Sequence, residues 1–186
     1  MKNLKELKQE DLLLKDGNLE LRPLYLESPD LEHVASIAND YNIAKYIGHT
    51  FPHPYGTDDA KSFQEYAKSA WEKDSEYVWG IFMGGEYMGN IGIKVDYDNE
   101  IVKNIGYWLG KKYEGYGYMT MAVKLMIDFS FNVLNVRKIE AYVFEGNMGS
   151  AKVLGKNGFV LEGVKKKNQK LKDGTILDAS IYGLLK

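Results

Sequence analysis

The sequence predicts a single α/β (α+β) domain in which a mixed, mostly antiparallel central sheet is flanked by helices. Its 186 residues suit one domain of ordinary size. Hydrophobic residues make up 45% and charged residues 27%, as in an ordinary soluble globular protein. Many segments have the apolar pattern of strands, and short turns separate several of them. One strand, residues 101–109, runs instead through a glycine-containing loop into a helix.

In residues 19–76 we predict one strand and two helices. Residues 19–24 alternate like a strand. A helix begins near residues 28–30, where Pro29 suits the first turn. Thr57 is the expected N-cap of a second helix, which runs to about Trp71. The apolar stripe of the first helix is Leu31, Val34, Ile37 and Ala38.

From residue 77 onward we predict six strands and two helices. Gly84 and Gly85 form the turn of a hairpin. One helix opens at about Tyr118, and Asn147 caps a shorter one that ends near residues 157–158. The strands are predicted at residues 77–83, 87–95, 101–109, 136–144, 159–169 and 176–185.

Residues 1–17 are rich in Lys and Glu, and we predict a helical N-terminal extension that lies outside the domain formed by residues 18–186. The segment lacks the long apolar core and the small-residue cleavage site of a signal peptide. No run of apolar residues approaches the length that spans a bilayer. We therefore expect a cytoplasmic protein with no membrane partner.

Composition argues against two classes of function. The formal net charge is −2 and the sequence pI is about 6.0. Only Arg22 and Arg137 are arginines among 24 basic residues, so contacts to bases or phosphates by paired guanidinium donors are scarce and no nucleic-acid partner is expected. Cysteine is absent, which removes disulfides, thiol nucleophiles and cysteine-based metal sites. We expect no metal.

The loop after residue 109 is the strongest functional signal. An apolar strand leads into Gly115 and Gly117, and a helix starts directly afterwards. The first N–H groups of a helix have no partner within the helix, and the helix dipole adds partial positive charge there. Two glycines let the chain turn tightly and let an anion approach the backbone. This pattern predicts a site for a phosphate-bearing ligand, although a tight turn that binds nothing has the same glycines.

Two well-known phosphate loops do not match. A Walker loop needs Lys-Ser/Thr after its second glycine, whereas Tyr116 and Gly117 follow Gly115. A dinucleotide fingerprint needs a third glycine, and Thr120 stands there. What remains is Lys112-x-x-Gly115-x-Gly117.

That remaining pattern is close to the Gln/Arg-x-x-Gly-x-Gly/Ala loop of acyl-CoA-binding N-acetyltransferases. The chain resembles the GNAT superfamily, and within it the branch that acetylates ribosomal-protein N-termini (the Rim-type branch), from about Leu19 to Lys186. The matching segments come in the family's order. They are Leu21-Arg22-Pro23-Leu24, Pro54-Tyr55 with Asp58-Asp59-Ala60, Gly106-Tyr107-Trp108-Leu109, Arg137-Lys138-Ile139-Glu140-Ala141 and Asn147-x-x-Ser150-x-x-x-Leu154-x-x-x-Gly158-Phe159.

The resemblance implies acetyl-CoA as cosubstrate, held in a V-shaped opening between the strands at residues 101–109 and 136–144. It also implies direct attack of an amine on the thioester, with no covalent enzyme intermediate. A free N–H of strand residues 106–109 would polarise the thioester carbonyl. Lys112 is a phosphate contact or simply one more solvated lysine. The implied cofactor-binding residues are Tyr107, Trp108, Leu109, Lys112, Tyr113, Gly115, Tyr116, Gly117, Tyr118, Met119, Thr120, Asn147 and Ser150.

Catalysis needs a hydrogen-bond donor for the departing thiolate. Some relatives use a tyrosine on the later helix, but none lies between Asn147 and Phe159. Ser150 is the matching hydroxyl, as in the Rim-type branch. Its alternative role is a local bond to the backbone of the first helical turn. Asn147 could bond the pantetheine arm, cap the helix, or do both.

The proton acceptor is less clear from the sequence. Many relatives carry glutamate two residues before the Gly-Tyr-Trp segment, and here that position is Asn104, which cannot accept a proton. Asn104 could instead position a water. Other candidates are His49 and His53, which lie with Tyr55 in an aromatic segment that the family places over the acceptor pocket. The alternative is that each histidine is a loop residue with a structural or solvated role.

A site without a strong base should favour an amine that is already partly neutral. A peptide α-amine has a pKa of about 7.7–8.0, whereas a lysine-like amine has a pKa of about 10.4. We therefore predict an N-acetyltransferase that acts on a protein or peptide N-terminal amine. The alternatives are a small-molecule amine (polyamine, amino acid or aminoglycoside) as acceptor, or a non-catalytic acyl-CoA-binding module. The resemblance also suggests a homodimer.

Overall fold

The computed structural model describes residues 1–47, 50–171 and 173–186, and the strands of these residues form one sheet. The strand order is β1-β2-β3-β4-β5-β6-β8-β7, and every neighbouring pair except β5–β6 is antiparallel. The strands are β1 (Leu14–Asp16), β2 (Leu19–Pro23), β3 (Tyr77–Met83), β4 (Glu86–Asp96), β5 (Ile101–Leu109), β6 (Lys138–Phe144), β7 (Val160–Lys170) and β8 (Ile176–Leu185). The predicted mixed, mostly antiparallel sheet is confirmed.

Helices cover both faces of this sheet. Val78 of β3 packs with Ala67, whereas the next residue, Trp79, packs on Phe129, whose ring centroid is 5.7 Å away. Successive strand residues point to opposite faces. The helix that carries Ala67 and the helix that precedes Phe129 therefore lie on opposite sides of the sheet. The helices are α1 (Leu31–Ala38), α2 (Tyr41–Ile47), α3 (Thr57–Glu72), α4 (Tyr118–Asp128), which continues into a π-helical turn (Phe129–Val133), and α5 (Met148–Lys156).

The parallel pair β5–β6 opens the sheet. The two strands pair only at Ile101–Lys138 and Val102–Ile139. Beyond these residues β5 remains paired with β4, and β6 remains paired with β8 along its whole length. The carboxyl-terminal halves of β5 and β6 therefore separate, as the V-shaped opening of the resemblance requires.

Several elements begin or end where the sequence predicts. β3, β5 and β8 have the predicted bounds, and α4 starts at Tyr118. Gly84 and Gly85 join β3 to β4 with φ values of +57° and +89°, which a hairpin turn of two left-handed residues requires. Asn147 caps α5, because its side chain accepts a hydrogen bond from the N–H of Ser150.

Helix starts in the first half differ from the prediction. The first helix begins at Leu31, and Asp30 caps it. Thr57 is the first residue of α3 rather than its N-cap, which is Gly56. The N–H of Gly56 donates to the Asp59 carboxylate at 2.8 Å, so the cap comes from the side chain three residues onward. Helix α2 was not predicted, because its seven residues are fewer than the window in which a helical period can be recognised.

Residues 1–17 do not form the predicted helical extension. They contain two short 3-10 helices (Leu4–Glu6 and Gln9–Leu12) and β1, which pairs with β2. Leu4 and Leu12 are 0% and 1% exposed and belong to the main hydrophobic core. The Trp79 indole N–H donates to the Leu12 carbonyl at 2.8 Å. Burial of these leucines, rather than helix propensity, decides the local structure.

Candidate active site

A cleft of about 520 Å³ lies where β5 and β6 separate. The end of β5 and the loop into α4 form one wall, the start of α5 forms the opposite wall, and α2 closes one side. Of the predicted cofactor-binding residues, eleven line this cleft. They are Tyr107, Trp108, Leu109, Tyr113, Gly115, Gly117, Tyr118, Met119, Thr120, Asn147 and Ser150.

The loop wall includes two glycines, where only backbone faces the cleft. Gly115 and Gly117 have φ values of +87° and +86°, a left-handed conformation that residues with a Cβ rarely adopt. A Cβ at either position would meet no atom within 4 Å, so packing leaves space beside this backbone. Gly117 is also the N-cap of α4, and no side chain caps that helix start. The N–H groups of the first turn are therefore available to an anion in the cleft.

The opposite wall is one face of α5. The side-chain oxygen of Asn147, Oδ1, accepts from the Ser150 N–H at 3.1 Å and fixes the first turn. Ser150, Val153 and Lys156 then line the cleft at intervals of three residues, which is one face of a helix. Lys156 is a cation in the cleft lining that was not predicted from the sequence. The spacing from Ser150 was the available signal.

Tyr107 and Ser150 meet inside the cleft. The Tyr107 hydroxyl lies 2.9 Å from Ser150 Oγ and 3.3 Å from the Ser150 carbonyl oxygen. Burial raises the pKa of Tyr107 to about 12, although its hydrogen bond with Ser150 acts in the opposite direction. The phenol is therefore neutral near pH 7 and keeps its proton for donation.

Lys112 and Tyr116 do not line the cleft, unlike the other predicted cofactor-binding residues. The Lys112 ammonium bonds the Glu86 carboxylate at 3.0 Å and lies 4.6 Å above the Tyr113 ring. Tyr116 is 69% exposed and stacks on Tyr118, with ring centroids 5.6 Å apart. Local partners on the surface hold both side chains.

The aromatic segment expected over the acceptor pocket packs on the end of β5. The Phe51 ring lies 6.0 Å from Trp108 and 4.9 Å from Tyr55. Tyr55 is 5% exposed, and burial, with the nearby Asp59 carboxylate, raises its pKa to about 12. His53 is exposed and packs edge-on against Tyr41, and it does not line the cleft. His49 lies outside the described residues.

Asn104 is placed beside the cleft rather than in its lining. It pairs with Lys94 across β4–β5 and shares a sheet face with Gly106 and Trp108. A Cβ on Gly106 would lie 3.8 Å from the Asn104 amide nitrogen, so the strand is open directly next to this side chain. Glu76 lies near the same face, where Tyr66 donates to its carboxylate at 2.6 Å and Lys94 lies 3.6 Å away.

Two further features bear on the class of site. Within the described ranges, no three His, Cys, Asp or Glu side chains are grouped as a metal site would require. None of the helices in those ranges combines the length and apolar character needed to cross a bilayer.

Comparison with known proteins identifies the family. The sequence profile of the family described as "Acetyltransferase (GNAT) domain" matches residues 18–160. The chain belongs to the GNAT acetyltransferase family. The separated strands β5 and β6, with an uncapped helix at the cleft, are consistent with the acyl-CoA site that the sequence resemblance implies.

Known GNAT relatives show different degrees of overlap with this chain. "Probable N-acetyltransferase YjcK" of Bacillus subtilis is 37% identical over 122 residues, which span 61% of this chain and 64% of YjcK. The match thus covers slightly less than two thirds of that relative. "Putative ribosomal N-acetyltransferase YdaF" of the same organism is 28% identical over 87% of this chain and 88% of YdaF.

A solved structure shows the same fold. It is described as the microcin C7 self-immunity acetyltransferase MccE in complex with acetyl-CoA and AMP. It has a TM-score of 0.79 and 22% identity, and the match covers 92% of this chain and 94% of that one. At this identity the likeness concerns the fold alone.

Proposed function

We propose that the protein is an N-acetyltransferase that moves the acetyl group of acetyl-CoA to the α-amine of a protein or peptide N-terminus. The observation that carries the proposal is the cleft itself. On one wall it has an uncapped helix start preceded by two left-handed glycines, and on the other a serine hydroxyl. The first is suited to a pyrophosphate and the second to the sulfur of a thioester.

Binding would use backbone groups more than charges. The N–H groups of residues 115–119, in the loop and the first turn of α4, would hold the pyrophosphate, because those of Tyr113 and Glu114 already donate to backbone carbonyls. Lys156, in the lining of the opposite wall, adds a cation for a phosphate group. The side-chain carbonyl of Asn147 accepts the hydrogen bond that caps α5. Its NH₂ group therefore remains available to an amide carbonyl of the pantetheine arm.

The reacting carbonyl would lie at the carboxyl-terminal end of β5. Alternate N–H groups of residues 106–109 face away from β4, and the separation of β6 leaves them without a strand partner on that side. Such an N–H is a donor for the oxygen on which negative charge develops during attack. Ser150 Oγ would donate a hydrogen bond to the departing sulfur.

The acceptor follows from the missing carboxylate at position 104. Without a glutamate there, the reaction depends on the fraction of amine that is already neutral. At pH 7 this is roughly one tenth for an α-amine but only about one in two thousand for a lysine-like amine. Asn104 could orient a water that takes the proton. The name of YdaF, a putative ribosomal N-acetyltransferase, agrees with a protein N-terminal acceptor, whereas the AMP complex of MccE is an example of a different ligand in this fold.

The test is thiol release from acetyl-CoA with a panel of amines. The panel contains peptides with a free N-terminus, the same peptides with a blocked N-terminus and an internal lysine, and spermidine, each at pH 7 and pH 9. We expect the free α-amine to react fastest at pH 7, and the blocked peptide to react measurably only at pH 9. Faster turnover of spermidine at pH 7 would contradict the proposed acceptor. No thiol release with any amine would favour a non-catalytic module.

A further inference from the structure

Tyr107 and Ser150 come from opposite walls of the cleft, and their hydroxyl groups are within hydrogen-bond distance. Tyr107 is on β5, two residues before its end, whereas Ser150 is in the first turn of α5. Their oxygens are 2.9 Å apart, and the Tyr107 hydroxyl is also 3.3 Å from the Ser150 carbonyl. This contact joins the two walls of the cleft at Ser150, the residue that we assign as hydrogen-bond donor to the departing sulfur.

The partner of Ser150 Oγ decides where the serine proton goes. A hydroxyl has one proton and two lone pairs. A serine in the first turn of a helix commonly uses its hydroxyl for a local backbone contact. Here the Ser150 N–H already bonds Asn147, and the Tyr107 hydroxyl occupies one side of Oγ. If Tyr107 donates, a lone pair of Oγ is filled and the serine proton remains free for a third group.

We propose that Tyr107 is a positioning residue for acetyl transfer: its hydroxyl donates to Ser150 Oγ and thereby directs the serine proton toward the departing sulfur. The inference rests on the proposed function. In the step, the amine nitrogen bonds the acetyl carbon as the carbon–sulfur bond breaks. The sulfur keeps that electron pair and leaves as a thiolate that accepts the Ser150 hydrogen bond, and the amine proton passes to water.

Tyr107 orients the serine rather than supplying the proton. A thiol has an ordinary pKa of about 8.5, whereas burial raises the pKa of Tyr107 to about 12. Transfer of the phenol proton to a thiolate would therefore be uphill. A neutral phenol that stays protonated up to high pH is a constant donor to Ser150. The rate should show no ionisation of Tyr107 below about pH 10.

The opposite direction of this hydrogen bond, from Ser150 to Tyr107, predicts the opposite effect of removing the Tyr107 hydroxyl. If Ser150 donated to Tyr107, the phenol proton would go to the Ser150 carbonyl at 3.3 Å, and the serine would have no proton for the sulfur. Removal of the phenol oxygen would then free the serine and leave the rate unchanged or raise it. A single substitution therefore distinguishes the two arrangements.

The experiment compares the wild type, Tyr107→Phe, Ser150→Ala and the double variant by thiol release, acetyl-CoA binding and thermal unfolding. We expect Tyr107→Phe to lower kcat roughly 3- to 10-fold, the rate equivalent of one hydrogen bond, and to change the acetyl-CoA Kd less than twofold. In the Ser150→Ala background the same substitution should have no further effect, since the group that it orients is gone. Tyr142→Phe is the matched control, because Tyr142 lies on β6 outside the cleft lining.

Each outcome has a defined meaning. Unchanged or higher kcat in Tyr107→Phe, with wild-type turnover present, would overturn the inference and leave the proposed function standing. An equal loss in the Ser150→Ala background would also overturn it, since Tyr107 would then act independently of the serine. Wild-type protein that binds acetyl-CoA but releases no thiol with any amine would overturn the proposed function, and the inference with it.

Discussion

At the scale of single residues, the proposed chemistry depends on hydroxyl and backbone donors. The chain contains no cysteine, and asparagine occupies the position where many relatives carry a glutamate base. The cleft instead brings together Ser150, Tyr107 and the first turn of α4. Such groups stabilise negative charge but do not remove protons, so the rate should depend strongly on the pKa of the acceptor amine.

Ser150→Ala tests the donor to sulfur. A hydrogen bond to a charged group is worth about 1.5–3 kcal/mol, so we expect kcat to fall roughly 10- to 100-fold. Binding of acetyl-CoA should persist, because the loop and α4 make the phosphate contacts. Kinetics with calorimetric binding would separate the two effects. Full activity in this variant would exclude the role of Ser150.

Asn104→Glu tests the missing base. Gly106 leaves space beside residue 104, so a carboxylate there could take the proton from the attacking amine. We expect faster turnover of lysine-like amines at pH 7, by roughly tenfold, and a pH–rate profile whose rise moves to lower pH. Asn104→Gln has the same side-chain length without a base and serves as the control. Identical profiles for the two variants would show that position 104 does not limit proton removal.

At the scale of elements, the β5–loop–α4 unit combines two features. Strand β5 stays paired with β4 along its length, and no side chain caps the start of helix α4. The left-handed conformations at Gly115 and Gly117 turn the chain between the two. The space beside both glycines implies that the backbone conformation selects glycine here, because no neighbouring atom would collide with a side chain.

Gly117→Ala tests this unit. An alanine in a left-handed conformation costs roughly 1–2 kcal/mol, and relief of that strain would move the N–H groups that face the cleft. We expect a lower melting temperature and weaker acetyl-CoA binding. Gly155→Ala is the matched control, since Gly155 lies inside α5 with open space around it and alanine should be neutral or stabilising there. Equal effects of the two variants on acetyl-CoA affinity would contradict the assigned role of the loop.

Elements with strong local signals could be predicted from the sequence. The Gly84–Gly85 turn, the start of α4 after Gly117 and the Asn147 cap depend on backbone chemistry that is local to a few residues. The cleft wall at Ser150 followed from a motif on one helix. The contact between Tyr107 and Ser150 could not be predicted, because it joins residues 43 positions apart. The ion pair of Lys112 with Glu86 likewise joins residues that are 26 positions apart.

At the scale of the whole molecule, residues 1–17 are part of the packed structure. Lys5 pairs with Asp74 at 2.8 Å, and Tyr77 joins Asp74 to Tyr97 through hydroxyl contacts of 2.5 and 2.6 Å. Burial alone would raise the pKa of Asp74, but the hydrogen bonds from Lys5 and Tyr77 outweigh it and lower that pKa. This contribution to stability should therefore be present at neutral pH and be lost as the pH falls through the lowered pKa of Asp74.

Leu12→Ala tests whether this segment belongs to the folding unit. Leu12 is 1% exposed, and truncation of a buried leucine costs about 2–5 kcal/mol. The neighbouring Leu13 is 38% exposed, so Leu13→Ala should cost far less. Denaturant unfolding of both variants measures the difference. Equally small losses would indicate that residues 1–17 attach to the domain without stabilising it.

The central claim is that the cleft between β5 and β6 binds acetyl-CoA, and thermal unfolding of the wild-type protein with and without that ligand tests it most directly. ATP and NAD serve as controls, because both carry phosphates but neither carries a pantetheine arm. At 100 times its Kd a ligand that binds only the native state adds about 2.7 kcal/mol, a rise of roughly 5–10 °C for a domain of this size. We expect that rise with acetyl-CoA alone. No rise, or an equal rise with ATP, would contradict the assignment of the cleft.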